Sequence, residues 1–320
     1  MADKPVDSGT EVKRAINRGD MTKWQWTLKE MKMYKIGYFM IAPFFILFTI
    51  FTILPVLLSI FFSFTHFNLL EFPTFVFLDN YVRLFLDDDI FMLAIQNTLV
   101  FAAVTGPTGY LLSFMMAWFI NELSPKIRAF ITLIFYAPSI SGQVYLIWNI
   151  FFSGDQYGYA NSLLMRFNLI QEPIIWFQNA DYVMNLCILV ALWMSLGIPF
   201  LAFIAGLQTV DREYYEAGAV DGIRNRWQEL WFITLPLMRN QLMFGAVLQI
   251  TASFGFGGIV TALAGFPSIN YSAHTIMHHL ADYGDIRFEM GYASAIATLL
   301  FFMMLGANLL VNRLLSKVGK

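Results

Sequence analysis

The sequence predicts an all-α membrane protein with six transmembrane helices and both termini in the cytoplasm. Three observations predict it. Of 320 residues, 58% are hydrophobic and only 13% are charged, against about 25% charged in a soluble domain. The charges are also clustered: residues 37–70, 90–121, 129–154, 182–210, 240–280 and 290–312 contain no Asp, Glu, Lys or Arg. Crossing the hydrocarbon core takes about 20 apolar residues, and a charge at a helix centre costs roughly 2.5–3.5 kcal/mol on insertion scales. In lipid the backbone must satisfy its own polar groups, so runs of this length are helices. Finally, 17 of the 20 Lys and Arg fall in the N-terminal tail, 121–128, 209–240 and the C-terminal tail, leaving Arg83, Arg166 and Arg287 on the other side. The basic side is cytoplasmic, whereas acids carry little topological information; here they divide 11 and 11.

The elements follow in order. Residues 1–36 form a polar cytoplasmic tail, with an interfacial helix expected from Trp24 to Tyr34, where tryptophan and lysine favour the headgroup zone. No cleavable signal is expected, because the first apolar run begins only after about 35 polar residues. Helix 1 covers 37–65, with bends at Pro43 and Pro55. Residues 67–92 are external and carry a short amphipathic helix at 78–84. Helix 2 covers 95–120, with Gly106, Pro107 and Gly109 at its middle. Helix 3 covers 129–154, including Pro138 and Gly142, and an external loop of about 30 residues follows. Helices 4, 5 and 6 cover 183–208, 242–263 and 288–312. Small residues on the last three, such as Gly197, Gly206, Gly245 and Gly291, permit close helix approach. The membrane domain is thus 37–315, followed by a tail at 316–320.

Several chemistries are excluded by what the sequence lacks. There is no phosphate-binding G-x-x-x-x-G-K-[ST] loop, no dinucleotide glycine fingerprint and no G-x-S-x-G elbow, so no enzyme activity is expected. The net charge of −2 and the dispersal of basic residues along helix borders disfavour nucleic acid. The lone Cys187 offers no disulfide framework. His274, His278 and His279 have a metal-like spacing but no further ligand, and are read as polar interfacial residues. No acid lies at the middle of a spanning run, which argues against an ion-coupled carrier.

Polar groups within lipid-spanning helices face an interior or a cavity. Gln249, Ser253 and Phe256 recur at i, i+4 and i+7 on one face of helix 5. Trp193 and Ser195 lie mid-span on helix 4, and Asn149 lies on helix 3 beside Tyr145 and Trp148. Aromatic faces beside amides and hydroxyls suit a sugar, and these six residues are the candidate substrate contacts. Inter-helical hydrogen bonding is the competing reading.

One polar segment is patterned. Glu216-Ala217-Gly218-Ala219-Val220-Asp221-Gly222, closed by Ile233-Thr234-Leu235-Pro236, reads as a short helix, a glycine turn and a second amphipathic piece. It resembles the E-A-A…G…I-x-L-P loop of the permease subunits of binding-protein-dependent ABC importers. Leu78-Asp79-Asn80-Tyr81, Ala205-Gly206-Leu207-Gln208 and Gly291-Tyr292-Ala293-Ser294-Ala295 are similar to elements of the family's sugar-permease branch. The resemblance runs from about residue 37 to 315. Gly218 stands where the family has alanine, and the stretch from Gly222 to Pro236 is one residue longer than usual.

The resemblance implies an ABC importer type I permease fold in the bacterial cytoplasmic membrane, with loop 209–236 as a coupling helix. Glu216, Ala217, Gly218, Asp221 and Gly222 would contact an ATPase. It implies a second homologous permease, two ATPase subunits, an extracytoplasmic solute-binding protein and a carbohydrate substrate. No cofactor is expected in this chain; ATP and Mg belong to the ATPase. The rival readings are an ion-coupled or passive carrier and a membrane scaffold.

Overall fold

The computed structural model describes residues 23–315; the expectations for 1–22 and 316–320 lie outside them. The chain divides into two units, residues 1–58 and 59–320.

In the first unit, α1 (Lys23–Met33) occupies the stretch expected to be interfacial. After Tyr34 begins α2, Lys35–Phe62, a continuous apolar helix that runs past the end of the unit. None of its residues is buried. Pro43 sits within it, and a widened π-helical turn at Thr49–Ile53 precedes Pro55. That turn lies where Pro55 cannot supply a backbone N–H.

The second unit opens with a two-residue ribbon, β1 (Thr65–His66) antiparallel to β2 (Thr74–Phe75), with Thr65 opposite Phe75. Next come α3 (Asp79–Val82), extended by a π-helical turn at Arg83–Asp87, and α4 (Asp89–Asn121). The amphipathic 78–84 segment is therefore helical as expected. Asn80 explains its asparagine: its buried Nδ2 donates to Ser63 O and Thr65 O, each at 2.9 Å. The rest are α5 (Pro125–Ile140), α6 (Ile147–Phe151), α7 (Tyr159–Arg166), α8 (Ala180–Met194), α9 (Ile198–Gln208), α10 (Arg212–Val220), α11 (Arg226–Glu229), α12 (Arg239–Phe254), α13 (Gly257–Ala264), α14 (Ile276–Ala281) and α15 (Met290–Leu315).

Among the described residues, five helices or helix pairs are long and apolar enough to cross a membrane. A sixth arises if α5 and the segment Val144–Phe151, bent by 88°, form one span. The expected helix 3 over 129–154 is thus corrected to a broken one: α5 continues past Pro138 to Ile140, and the chain bends at 141–143, around Gly142. Helices 4 and 5 are interrupted as well, at 195–197 and 255–256.

α4 is the centre of this unit. Its 33 residues make a rod of about 50 Å, longer than the ~30 Å hydrocarbon core. Phe91 and Ala94 join Ile276, Tyr292 and Ile296 in one buried cluster. Phe101 joins Val183, Val190 and Val260 in a second. Phe114 and Ala117 join Phe200, Phe203 and Met238 in a third, at the Asn121 end.

Candidate functional site

The patterned polar segment folds as expected. α10 ends in a left-handed turn at Gly222, φ +96°. Gly222 N donates to Ala219 O at 3.3 Å and Ile223 N to Gly218 O at 2.9 Å. This pair of bonds satisfies the last carbonyls of the helix and needs the positive φ that glycine adopts without strain. Glu216, Ala217, Asp221 and Gly222 are exposed. Glu216 pairs with Arg212 one turn earlier, at 3.3 Å on the solvated face, an interaction worth only a few tenths of a kcal/mol.

Gly218 departs from expectation. It is the buried residue of α10, turned inward, so it is not part of the exposed surface. A Cβ there would lie 2.6 Å from Ile233 Cδ1 and 3.1 Å from Ile223 Cδ1. The isoleucines occupy the volume an alanine would need. The extra residue before Pro236 is also accounted for. Leu230–Thr234 is a π-helical turn, and such a turn absorbs one added residue without breaking the helix. It places Thr234 Oγ1 3.0 Å from Tyr215 Oη of α10 and donating to Glu229 O at 3.3 Å.

Beyond the Gly222 turn, Asn225 caps α11 by accepting from Gln228 N at 2.9 Å. Arg226 then bridges two carboxylates: Nη1 donates to Glu229 at 2.7 Å and Nη2 to Glu122, at the end of α4, at 2.6 Å. Trp227 packs on Trp118 of α4 with ring centroids 5.2 Å apart. A cavity of about 320 Å³ lies between α10, the π-helical turn and the Asn121 end of α4.

The candidate substrate residues are not brought to one surface. Gln249 and Ser253 are buried. Gln249 Nε2 donates to Thr105 O of α4 at 3.1 Å, and Ser253 Oγ to Ile250 O at 2.8 Å. A Cβ on Gly109 would collide with Gln249 Nε2 and lie 3.2 Å from Ser195 Oγ. Ser195 is itself buried, donating to Leu192 O at 2.6 Å while its carbonyl accepts from Ser113 Oγ at 3.0 Å. The small residues of α4 thus receive the polar side chains of α12 and of the 195–197 break. Phe256 lies beyond the end of α12, so the expected single helical face does not exist; its ring packs on Phe101 at 5.2 Å. A cavity of about 560 Å³ borders Gln249 and Ser253, but its other walls include Leu99, Ala246, Ile250 and Leu310. Its third polar side chain, Tyr110, donates to Leu242 O.

Trp193 packs edge-on against Trp148 at 5.6 Å. Asn149 is half-buried, with Nδ2 3.5 Å from Ala262 O. It lines a separate cavity of about 440 Å³ with Phe152, Trp176, Phe177 and Gln178. That cavity joins aromatic faces to side-chain amides.

The histidines are buried within the protein: His274, His278 and His279 are each 2% exposed. His279 Nε2 donates to Asp88 at 2.9 Å, and His274 Nε2 lies 3.3 Å from His279 Nδ1. Asp88 also accepts from Tyr292 Oη at 2.7 Å and from Phe91 N at 2.9 Å, capping α4. Burial opposes its charged form, but hydrogen bonds from His279, Tyr292 and Phe91 outweigh it and hold the carboxyl well below the usual range. Arg83 pairs with Glu289 and lies over the Tyr292 ring, 4.1 Å from its centroid. His278 is pushed down to about 4 by burial. His274 is pushed down to about 4 by burial and by its two histidine neighbours. Sequence reasoning missed this network. The available signal was the Asp87–Asp89 run ahead of an apolar stretch, a helix N-cap pattern.

Comparison with known proteins agrees with this fold. The family described as binding-protein-dependent transport system inner membrane component matches residues 109–320. The probable ABC transporter permease protein YesP of Bacillus subtilis (strain 168) is 33% identical over 270 residues, 82% of this chain and 84% of its own. The arabinooligosaccharides transport system permease protein AraP of the same organism is 28% identical over 313 residues, 97% of each chain. A chain in the crystal structure of a bacterial alginate ABC transporter, in complex with an alginate pentasaccharide-bound periplasmic protein, superposes with a TM-score of 0.74. It is 22% identical, over 91% of this chain and 98% of that one. With most of its length matched in this way, the chain belongs to the family of inner membrane components of binding-protein-dependent transport systems.

Proposed function

We propose that this chain is one of two permease subunits of an ATP-driven carbohydrate importer, with an oligosaccharide as substrate. In this reading α5 and α6 form one bent span, giving six, and both termini lie in the cytoplasm. α10 is the coupling helix, docking through Glu216, Ala217, Asp221 and Gly222 into a separate ATPase that holds ATP and Mg. The Asp88 end of α4 faces outward, toward a solute-binding protein that delivers the sugar. The observation that carries the reading is α10: a capped helix with an exposed acidic face in a chain otherwise built for lipid. The sugar is supported by the names of the relatives, arabinooligosaccharides for AraP and lactose for LacF of Rhizobium radiobacter.

Along the pathway, Asn149 and Trp193 remain contacts, joined by Gln178 and Trp176 of the 440 Å³ cavity. Gln249, Ser253, Ser195 and Phe256 pack against α4 here and become accessible to sugar only if the helices around α4 separate.

The test is Glu216→Lys and Gly222→Pro in the assembled transporter, with pull-down of the ATPase and sugar uptake measured together. Loss of both with membrane insertion intact is expected. Normal ATPase binding and uptake in both variants would overturn the assignment.

A further inference from the structure

A helix pushed from the cytoplasm moves a membrane bundle only if something ties it to the bundle. The 212–237 element is tied covalently at both ends, through residues 209–211 to α9 and through Met238 to α12, and its Leu230 joins the buried cluster of Phe114 and Phe203. A further tie, made by side chains, runs to the end of α4. Arg226 reaches Glu122 at the end of α4, and Trp227 packs on Trp118 one turn before it.

We infer that Arg226 is a positioning residue of the transport cycle, and that its bridge to Glu122 makes α4 follow the coupling element. This rests on the reading of α10 as the ATPase-docking helix.

The geometry favours a transmitting role over a decorative surface pair. An isolated exposed ion pair contributes little, and Arg226 and Glu122 are both substantially exposed. Arg226, however, uses separate guanidinium nitrogens for Glu122 and Glu229. The planar fork fixes both carboxylates at once, which a lysine ammonium does less directionally. Glu229 begins the turn whose Thr234 meets Tyr215 of α10, and Ile233 of that turn fills the space beside Gly218. The chain of contact from α10 to α4 is therefore continuous. α4 is suited to carry the displacement. It contributes to three buried clusters of its unit and is capped at its far end by Asp88, which holds His279 and Tyr292.

The test uses the full transporter reconstituted with its ATPase and sugar-loaded binding protein. The variants are Arg226→Glu, Glu122→Arg, the double exchange, and the milder Arg226→Lys and Glu122→Gln. The readouts are ATPase retained on purification and sugar transported per ATP hydrolysed. The single exchanges should retain the ATPase while transport per ATP falls about five- to tenfold. The double exchange should recover most of the ratio, and the mild variants should fall between. An unchanged ratio in the single and mild variants would overturn the inference. Loss of ATPase binding in them would overturn it too, because the pair would then shape the docking surface, and the docking reading itself would stand.

Discussion

Asp88 and His279 lie 191 positions apart, yet His279 Nε2 donates to the Asp88 carboxylate at 2.9 Å. The contact joins the start of α4 to α14, and Tyr292 extends it to α15. Three helices distant in sequence are fastened at one buried carboxylate.

Asp88→Ala should therefore destabilise the protein. It removes the α4 cap and strands His279 and Tyr292 in a buried site. Each orphaned group costs about 1–3 kcal/mol, and a lost cap about 1 kcal/mol. Thermal unfolding of the purified protein checks this; an unshifted midpoint would show that the network is not structural.

The same region makes stability pH-dependent. His274 and His278 are held near 4 in the fold, against about 6.5 in an unfolded chain. The unfolded state takes up their protons first, so stability falls as pH drops from about 6.5 to about 4 and then levels. For one histidine the loss is on the order of 3 kcal/mol. Asp88 acts at lower pH: its contribution is present above the ordinary carboxylate value of 3.8 and is lost below it. Unfolding midpoints recorded across this range should decline less steeply in His278→Gln.

Gly218→Val should weaken the coupling element. The added volume meets Ile233 and Ile223, and overpacking costs about 1–3 kcal/mol. Gly218→Ala should be milder, because the nearest atom, Ile233 Cδ1, is the mobile end of its side chain. Ile233→Ala should restore the valine variant. Stability and ATPase retention, measured on the same preparations, check the series.

Gln249→Ala should lower thermal stability by about 0.5–1.5 kcal/mol through loss of the inter-helical hydrogen bond to the Thr105 carbonyl. The order of preference among oligosaccharides should not change. A stable variant with an altered preference would return Gln249 to the sugar pathway.

Topology has a direct check. Tyr157→Cys and Glu172→Cys, both at exposed positions, should react with an impermeant reagent in intact cells. Arg224→Cys should react only after permeabilisation. The natural Cys187 is buried and serves as the silent background.

The sequence by itself determined the membrane class, the number of apolar runs and the basic asymmetry, because the cost of charge in lipid acts on each segment separately. It determined the α10 helix and its Gly222 end for the same reason: caps and turns are local. The 78–84 helix was legible too. Only the tertiary structure decided what the polar side chains do. The spacing of Gln249 and Ser253 and the mid-span place of Ser195 fit either a cavity or a neighbouring helix, and the small residues Gly106 and Gly109 of α4 made the neighbour available. The three histidines look solvated in sequence, because the carboxylate that accepts from His279 belongs to a segment 191 positions away. Gly218 reads as a contact residue in sequence, whereas in the fold Ile233, brought back by the π-helical turn, fills the space beside it. Pairing between distant segments depends on how helices pack, and no periodicity within one segment encodes it.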